Sequence, residues 1–409
     1  MIKKVRIFIS VILLFVIITP IIFWGESPAK AISIAISLLL LALMCLITKK
    51  PALSSLLYIL LILPFNITFQ LNIVDPYVNG VYVNYLVPTL SILDLAIVVF
   101  LFASFIELGY KRIKDLFKKH SIWLILLFLF LLVQNIFLKD YLSIFNSLRI
   151  ILYSKALIVG IFYLNKENRN YLGRGILYIL LFTIIIQGVL GIIQFTRGSS
   201  LGLGFLGESQ VVSGMQGSSF VTLNYELFLR AYGTFPHPNI FAGFFVLSTM
   251  LLLFIQRHLT KTQKIISFIL IFLISIFTLF TFSRLCIILL GMILLVYFSR
   301  YIFRKKLISF TVPLFLERFL NLFSGLDSSL QDRINLIKAS FNVIRENILL
   351  GTGIGNFVRG MKEYVPRTYN GIQLLQPVHN IPLLWVSELG VLGSLLYIGL
   401  IVDLLRKNI

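Results

Sequence analysis

The sequence predicts an all-α, polytopic transmembrane helical protein, and three observations carry that prediction. Of its 409 residues, 58% are hydrophobic and only 13% are charged. Apolar runs of roughly 18 residues or more recur along the chain, each long enough to cross a bilayer core. The basic residues gather in short clusters between those runs, as membrane topology requires.

The runs read as about twelve spans, near 7–24, 30–48, 52–69, 89–108, 121–138, 143–164, 173–195, 239–256, 264–282, 285–300, 306–323 and 381–403. Lys3, Lys4 and Arg6 place the N-terminus in the cytoplasm. Further basic clusters recur at Lys49-Lys50, Lys111–Lys119, Lys166–Arg174, Arg257–Lys264, Arg300–Lys306 and Arg406-Lys407, and they alternate with an even number of spans. Ala29-Lys30-Ala31 imitates a signal-peptide cleavage site, but Ile7 to Trp24 is long enough to span, which favours an uncleaved first helix. The stretch 306–323 is the weakest span, because Pro313, Glu317 and Arg318 interrupt it. On this pattern residues 1–196 form an N-terminal set of transmembrane helices. Residues 197–409 hold an outer loop (197–238), spans over 239–323, a small outer-face helical cap (324–378) and a last span.

A net charge of +20 would suggest nucleic acid in a soluble protein. Here topology accounts for it, and no nucleic-acid-binding motif or basic amphipathic arm is present, so the expected surroundings are the lipid bilayer. Cys45 and Cys286 both lie inside apolar runs and read as small core residues. With four histidines, two cysteines and no carboxylate cluster, neither a protein-bound metal nor a cofactor is expected.

Three polar stretches interrupt the apolar pattern, and the topology puts all of them on the outer side. The first runs from Arg230 through Gly-Thr-Phe-Pro-His-Pro to Asn239 and Gly243. Its prolines push their neighbours out of helix, and Asn239 suits the first turn of the apolar helix that follows. The second is Thr281-Phe-Ser-Arg284, and the third runs from Gly351 to Gly393. Arginine at an outer membrane edge snorkels, pairs or binds an anion. No acidic residue adjoins Arg230 or Arg284 in sequence, and a guanidinium offers bidentate donors to a diphosphate. Arg333 is a weaker candidate of the same kind, on an expected cap helix.

His379, just before the last span, is suited to proton transfer near neutral pH or to helix capping. His237 sits between two prolines, and His120 and His258 lie in basic loops where they read as topological. Gly351-Thr-Gly-Ile-Gly355 is neither a Rossmann nor a P-loop signature; it offers N–H groups to a phosphate or makes a tight turn. Glu388 follows His379 by about two and a half helical turns, which points it to the opposite face and toward a structural role.

Taken together, these pieces resemble the O-antigen ligase and O-antigen polymerase superfamily. Arg230-x-x-Gly-Thr-Phe-x-x-Pro-Asn-x-x-Ala is followed by Thr281-x-Ser-Arg284, Arg333 and Gly351-x-Gly-x-Gly-x-Phe357. His379-Asn-x-x-Leu with Glu388, Gly390 and Gly393 completes the order over roughly residues 220–400. The resemblance implies a GT-C-like, metal-independent glycosyltransferase in the cytoplasmic membrane, acting on its outer face. Its donor would be an undecaprenyl-diphosphate-linked glycan, and its acceptor a second glycan or a lipid. By matching position, His379, Arg230 and Arg284 take the catalytic places. Arg333, Gly351, Gly353, Gly355, Asn239 and Asn380 are substrate-binding candidates. Polymerisation of a surface polysaccharide is the leading expectation, with ligation to lipid A–core as the alternative. A flippase or transporter for lipid-linked sugar is more remote, because no internal repeat is present.

Overall fold

The computed structural model describes residues 2–23, 27–215, 218–223, 226–302, 328–365 and 374–408. The chain is polytopic and helical. Seven described helices are long and apolar enough to cross a membrane: Pro28–Thr48, Ser121–Leu138, Tyr141–Lys166, Arg169–Arg197, Pro238–His258, Lys261–Leu279 and Ile381–Arg406. An eighth arises if Ile92–Leu108 and Tyr110–Lys119 count as one broken span. The expectation of about twelve spans is not confirmed. Pro51–Ile62 has only 12 residues, about 18 Å of helix, against a hydrocarbon core of about 30 Å. The expected span 306–323 lies outside the described residues.

The chain divides into two compact units that interleave along the sequence. The first comprises Met1–Thr68, Ser91–Gly109 and Phe162–Lys306. Its helices are α1 (Ile2–Phe23), α2 (Pro28–Thr48), α3 (Pro51–Ile62), α4 (Ile92–Leu108), α8 (Arg169–Arg197), α9 (Pro238–Ile255), α10 (Lys261–Leu279) and α11 (Arg284–Ile302). Helices α1 and α2 pack as a pair, α3 lies against α4 and α8, and α8 in turn meets α10. Phe241, Phe245, Leu252 and Ile255 recur at helical spacing on the buried face of α9. Phe245 stands 4.5 Å from Phe241 and 6.0 Å from the Phe277 ring of α10. Lipids give no hydrophobic drive between helices, so such ring contacts and small-residue approaches hold the packing.

The second unit comprises Phe69–Leu90, Tyr110–Ile161 and Leu307–Ile409. It contains α5 (Tyr110–Lys119), α6 (Ser121–Leu138), most of α7 (Tyr141–Lys166), α12 (Ser328–Glu346), the single turn α13 (Phe357–Gly360) and α14 (Ile381–Asn408). Helix α14 packs on α6 and α12. His120, expected to be a topological loop residue, is instead 2% exposed, with its Nδ1 2.6 Å from the Asp403 carboxylate. That contact ties the far end of α14 to the start of α6.

Helix α14 is broken at Gly390, whose φ of 65° and ψ of 179° interrupt the helical hydrogen-bond ladder. The freed groups are met by another segment. Thr352 N–H donates to the Ser387 carbonyl (2.9 Å), Gly353 N–H to that of Glu388 (3.0 Å), and Val391 N–H to that of Ile348 (2.9 Å). Gln134 Nε2 donates to the Glu388 carbonyl (2.8 Å) and also to that of Leu350. A β-carbon at Gly390 would stand 2.2 Å from the Leu349 carbonyl oxygen. Gly390→Ala therefore combines a left-handed backbone with a collision and should cost at least about 1–3 kcal/mol. A fall in the melting temperature of the detergent-solubilised protein would report it. Gly243→Ala, a helical site with open space around it, should be neutral or slightly stabilising in the same assay.

Candidate functional site

The first motif stretch is held by polar side chains that project from a membrane helix. Gln187 and Gln194 of α8 are seven residues apart, about two turns, and so share a face. Both are fully buried, or nearly so. Gln194 Oε1 accepts from the N–H groups of Tyr232 (3.1 Å) and Gly233 (2.8 Å), while its Nε2 donates to the Gly233 carbonyl (2.8 Å). Gln187 Oε1 accepts from Thr234 N–H (3.0 Å), and its Nε2 reaches Thr234 Oγ1 (2.8 Å). Gly233, at φ 59°, is required here, since a β-carbon would stand 2.5 Å from Gln187 Oε1. Glu208 completes the clamp, accepting from Gln194 Nε2 (2.7 Å) and from the N–H groups of Leu201 (2.7 Å) and Leu203 (2.6 Å). Sequence reasoning passed over these partners, and two glutamines seven residues apart in an apolar run are the signal that could have found them.

Arg230 emerges at the end of the hairpin formed by Phe220–Leu223 and Glu226–Leu229. Its Nε donates to the Thr281 carbonyl (2.6 Å) and its Nη2 to Asn239 Oδ1 (2.7 Å). Those bonds use two of the five N–H groups of a guanidinium. Burial is the main influence that lowers the Arg230 pKa from the ordinary arginine value; the charge of Arg284 lowers it further, and Tyr232 and Cys286 oppose the shift. No carboxylate contributes to this balance. Arg284 is exposed and opens α11, after Phe282 has turned the chain through a left-handed φ of 48°. A bulky residue in that conformation is strained, and such strain collects at functional sites. Asn239 lies in the first turn of α9, as expected. The cap itself is His237, whose Nδ1 accepts from Asn239 N–H (3.1 Å) and whose Nε2 lies 3.1 Å from Ser219 Oγ. The first unit thus brings together Arg230, Asn239, Thr281 and Arg284 at the N-terminal ends of two apolar helices, where helix dipoles also favour an anion.

The second unit gathers the remaining candidates. Asn380 caps the last helix, with Oδ1 accepting from Leu383 N–H (3.1 Å). His379, directly before it, is exposed at the edge of the unit. Partial burial first, and the positive charge of Arg333 second, hold its pKa below the ordinary histidine value of 6.5. Arg333 is on the exposed face of α12. The glycine turn resolves between its two expectations in favour of a joint. Gly351 N–H donates to the Asn347 carbonyl (2.9 Å), Thr352 and Gly353 donate to the broken helix, and Phe357 N–H donates to the Glu388 carboxylate (3.3 Å). Groups committed in this way do not form a phosphate cradle at Gly351 and Gly353. Glu388 fills the structural role that its spacing from His379 implied. Beside this joint, the Asp140 carboxylate accepts from Asn356 Nδ2 (2.7 Å) and pairs with Arg359 (2.9 Å), a contact the motif pattern did not signal.

Apolar helices long enough to cross a bilayer, a polar loop fastened at their ends and two neighbouring arginines with no carboxylate partner among the described residues define the class as a polytopic membrane protein. Residues 240–398 match the O-antigen ligase family model, which supports the resemblance to the O-antigen ligase and polymerase superfamily. The match contains Arg284, Arg333, the glycine turn and His379; Arg230 and Asn239 precede it. No curated protein matches the chain.

Two measurements check this geometry. Gln194→Leu removes the acceptor of two buried N–H groups and should cost about 1–3 kcal/mol for each. Faster hydrogen exchange across residues 231–234 than across α10 would report the loosened loop. NMR of histidine-labelled protein should show His379 titrating below 6.5, since burial and Arg333 both disfavour its protonated form. Arg333→Gln removes the second cause, so the titration should move upward toward the ordinary value.

Proposed function

We propose that the protein transfers or polymerises an undecaprenyl-diphosphate-linked oligosaccharide at the outer face of the cytoplasmic membrane. The observation that carries this reading is the Arg230–Arg284 pair at two helix N-termini, with no carboxylate among the described residues to neutralise it. Such a pair suits a lipid diphosphate better than a neutral headgroup.

The chemistry follows from the charges that move. The acceptor hydroxyl attacks the anomeric carbon of the donor, a new C–O bond forms and the bond to the diphosphate oxygen breaks. The hydroxyl proton goes to His379, whose neutral, proton-accepting form is favoured by desolvation and by the charge of Arg333. The leaving undecaprenyl diphosphate gains negative charge, and Arg230 and Arg284 stabilise that charge as it develops. Asn239 holds the Arg230 guanidinium in place. Arg333 assists by keeping His379 a free base. Direct displacement predicts inversion at the anomeric carbon. The acceptor is a second lipid-linked glycan in the polymerase reading, which we favour, and lipid A–core in the ligase reading. The family covers both.

Complementation of a strain lacking the protein tests the site. His379→Ala should lower surface glycan synthesis by about 10²–10⁴-fold. Arg230→Lys and Arg284→Lys should each impair it too, because lysine cannot supply the bidentate fork. Undecaprenyl-linked precursor should accumulate in all three, with the variants present in the membrane at normal levels. Accumulated single repeats would identify a polymerase and full-length chains a ligase. Normal glycan in all three variants would refute the assignment.

A further inference from the structure

We propose that a cleft among α9, α10 and α11, at the end of these helices opposite the arginine pair, holds one anionic phospholipid, its headgroup on Arg257 and Lys264 and an acyl chain between α10 and α11. Helix α9 begins beside Arg230 and runs 18 residues, about 27 Å, before the chain reaches Arg257. The cleft there has a volume of about 490 Å³, and its lining includes Phe254, Arg257, Lys264 and Tyr297. It is therefore both cationic and aromatic, the composition found where membrane proteins meet charged headgroups.

Charge at this end is uncompensated among the described residues. Neither Arg257 nor Lys264 takes part in an ion pair among the described residues. Arg257 instead rests over the Phe254 ring at 5.3 Å and donates to His258 Nε2 at 3.1 Å. The first turns of α8, with Arg169 and Arg174, reach the same place, since a β-carbon on Gly173 would lie 3.5 Å from that of His258. Glu167 is spent on Lys50, 2.5 Å away.

Shape separates a lipid from a free phosphate. A second cleft of about 440 Å³ adjoins the first at Phe268, which lines both, and lies between α10 and α11 along Phe272, Ser275, Leu294 and Phe298. Lys264, Phe268, Phe272 and Ser275 follow one another at helical spacing on one face of α10. From Lys264 to Ser275 is about 16 Å, close to half the hydrocarbon thickness. A charged mouth that opens into an apolar groove one leaflet deep fits a phospholipid that stays in its own leaflet.

The full-length protein in nanodiscs, made with phosphatidylcholine alone or with added phosphatidylglycerol, provides the test. Native mass spectrometry counts the lipid retained on release. Wild type should keep one phosphatidylglycerol in preference to phosphatidylcholine. Arg257→Gln with Lys264→Gln should weaken retention by about thirtyfold, while Arg257→Lys with Lys264→Arg should preserve it. Lys118→Gln with Lys119→Gln, in another basic cluster, should leave retention unchanged. Leu294→Trp keeps every charge but fills the groove, and should weaken retention as well; this variant decides the matter if the double glutamine variant does not fold. Equal retention by wild type and both of those variants would overturn the proposal. So would equal retention of the two lipids, or displacement of phosphatidylglycerol by a polyprenyl phosphate at equal concentration, which would assign the groove to a polyprenyl chain.

Discussion

Two glutamine side chains on α8 carry more of this structure than their number suggests. A loop beside the membrane core cannot leave its N–H and carbonyl groups unpaired, because hydrocarbon offers no partner. Gln187 and Gln194 supply donors and acceptors to three consecutive residues, Tyr232 to Thr234. The backbone that follows Arg230 is thereby fixed to a rigid span. Thr281 then accepts from the Arg230 side chain, so the guanidinium is held from both ends. Each anchor alone is modest in energy; in a low-dielectric setting they reinforce one another.

The second unit meets the same constraint by another device. Helix α14 breaks at Gly390, and a break in a membrane helix exposes backbone groups. Residues 348–353 satisfy them through an exchange of backbone hydrogen bonds, and Gln134 adds a further donor. Glycine is needed on both sides because the two backbones nearly touch. His379 and Asn380 stand at the head of that same helix. Its start is set by the Asn380 cap and its middle by the glycine joint, which fixes where the histidine is presented.

Much of this was legible in the sequence, for stated physical reasons. Apolar runs reported the helices, and α6 spans Ser121–Leu138, as its run of apolar residues implied. Proline and asparagine marked where α9 begins. The count of spans was less legible, because hydropathy does not distinguish a crossing helix from a short one such as α3, which stops before Pro64. The glycine turn was ambiguous for a different reason: three glycines with positive φ suit an anion cradle and a backbone joint equally, and only the partner segment decides between them. His120 looked like loop because its partner, Asp403, is 283 residues away. Long-range pairs of this kind leave no local pattern.

Charge has opposite meanings at the two ends of α9 and α11. On the topology predicted from the basic clusters, the charge at Arg257 and Lys264 obeys the positive-inside rule, and only the shape of the cleft gives it a further use. At Arg230 and Arg284 the same rule argues against it. Arg230, desolvated and facing the charge of Arg284 beside a strained turn, has no carboxylate among the described residues to offset that cost. Under the proposed function a lipid diphosphate at the membrane edge offsets that cost, and the energy withheld from folding is then available to hold the departing diphosphate.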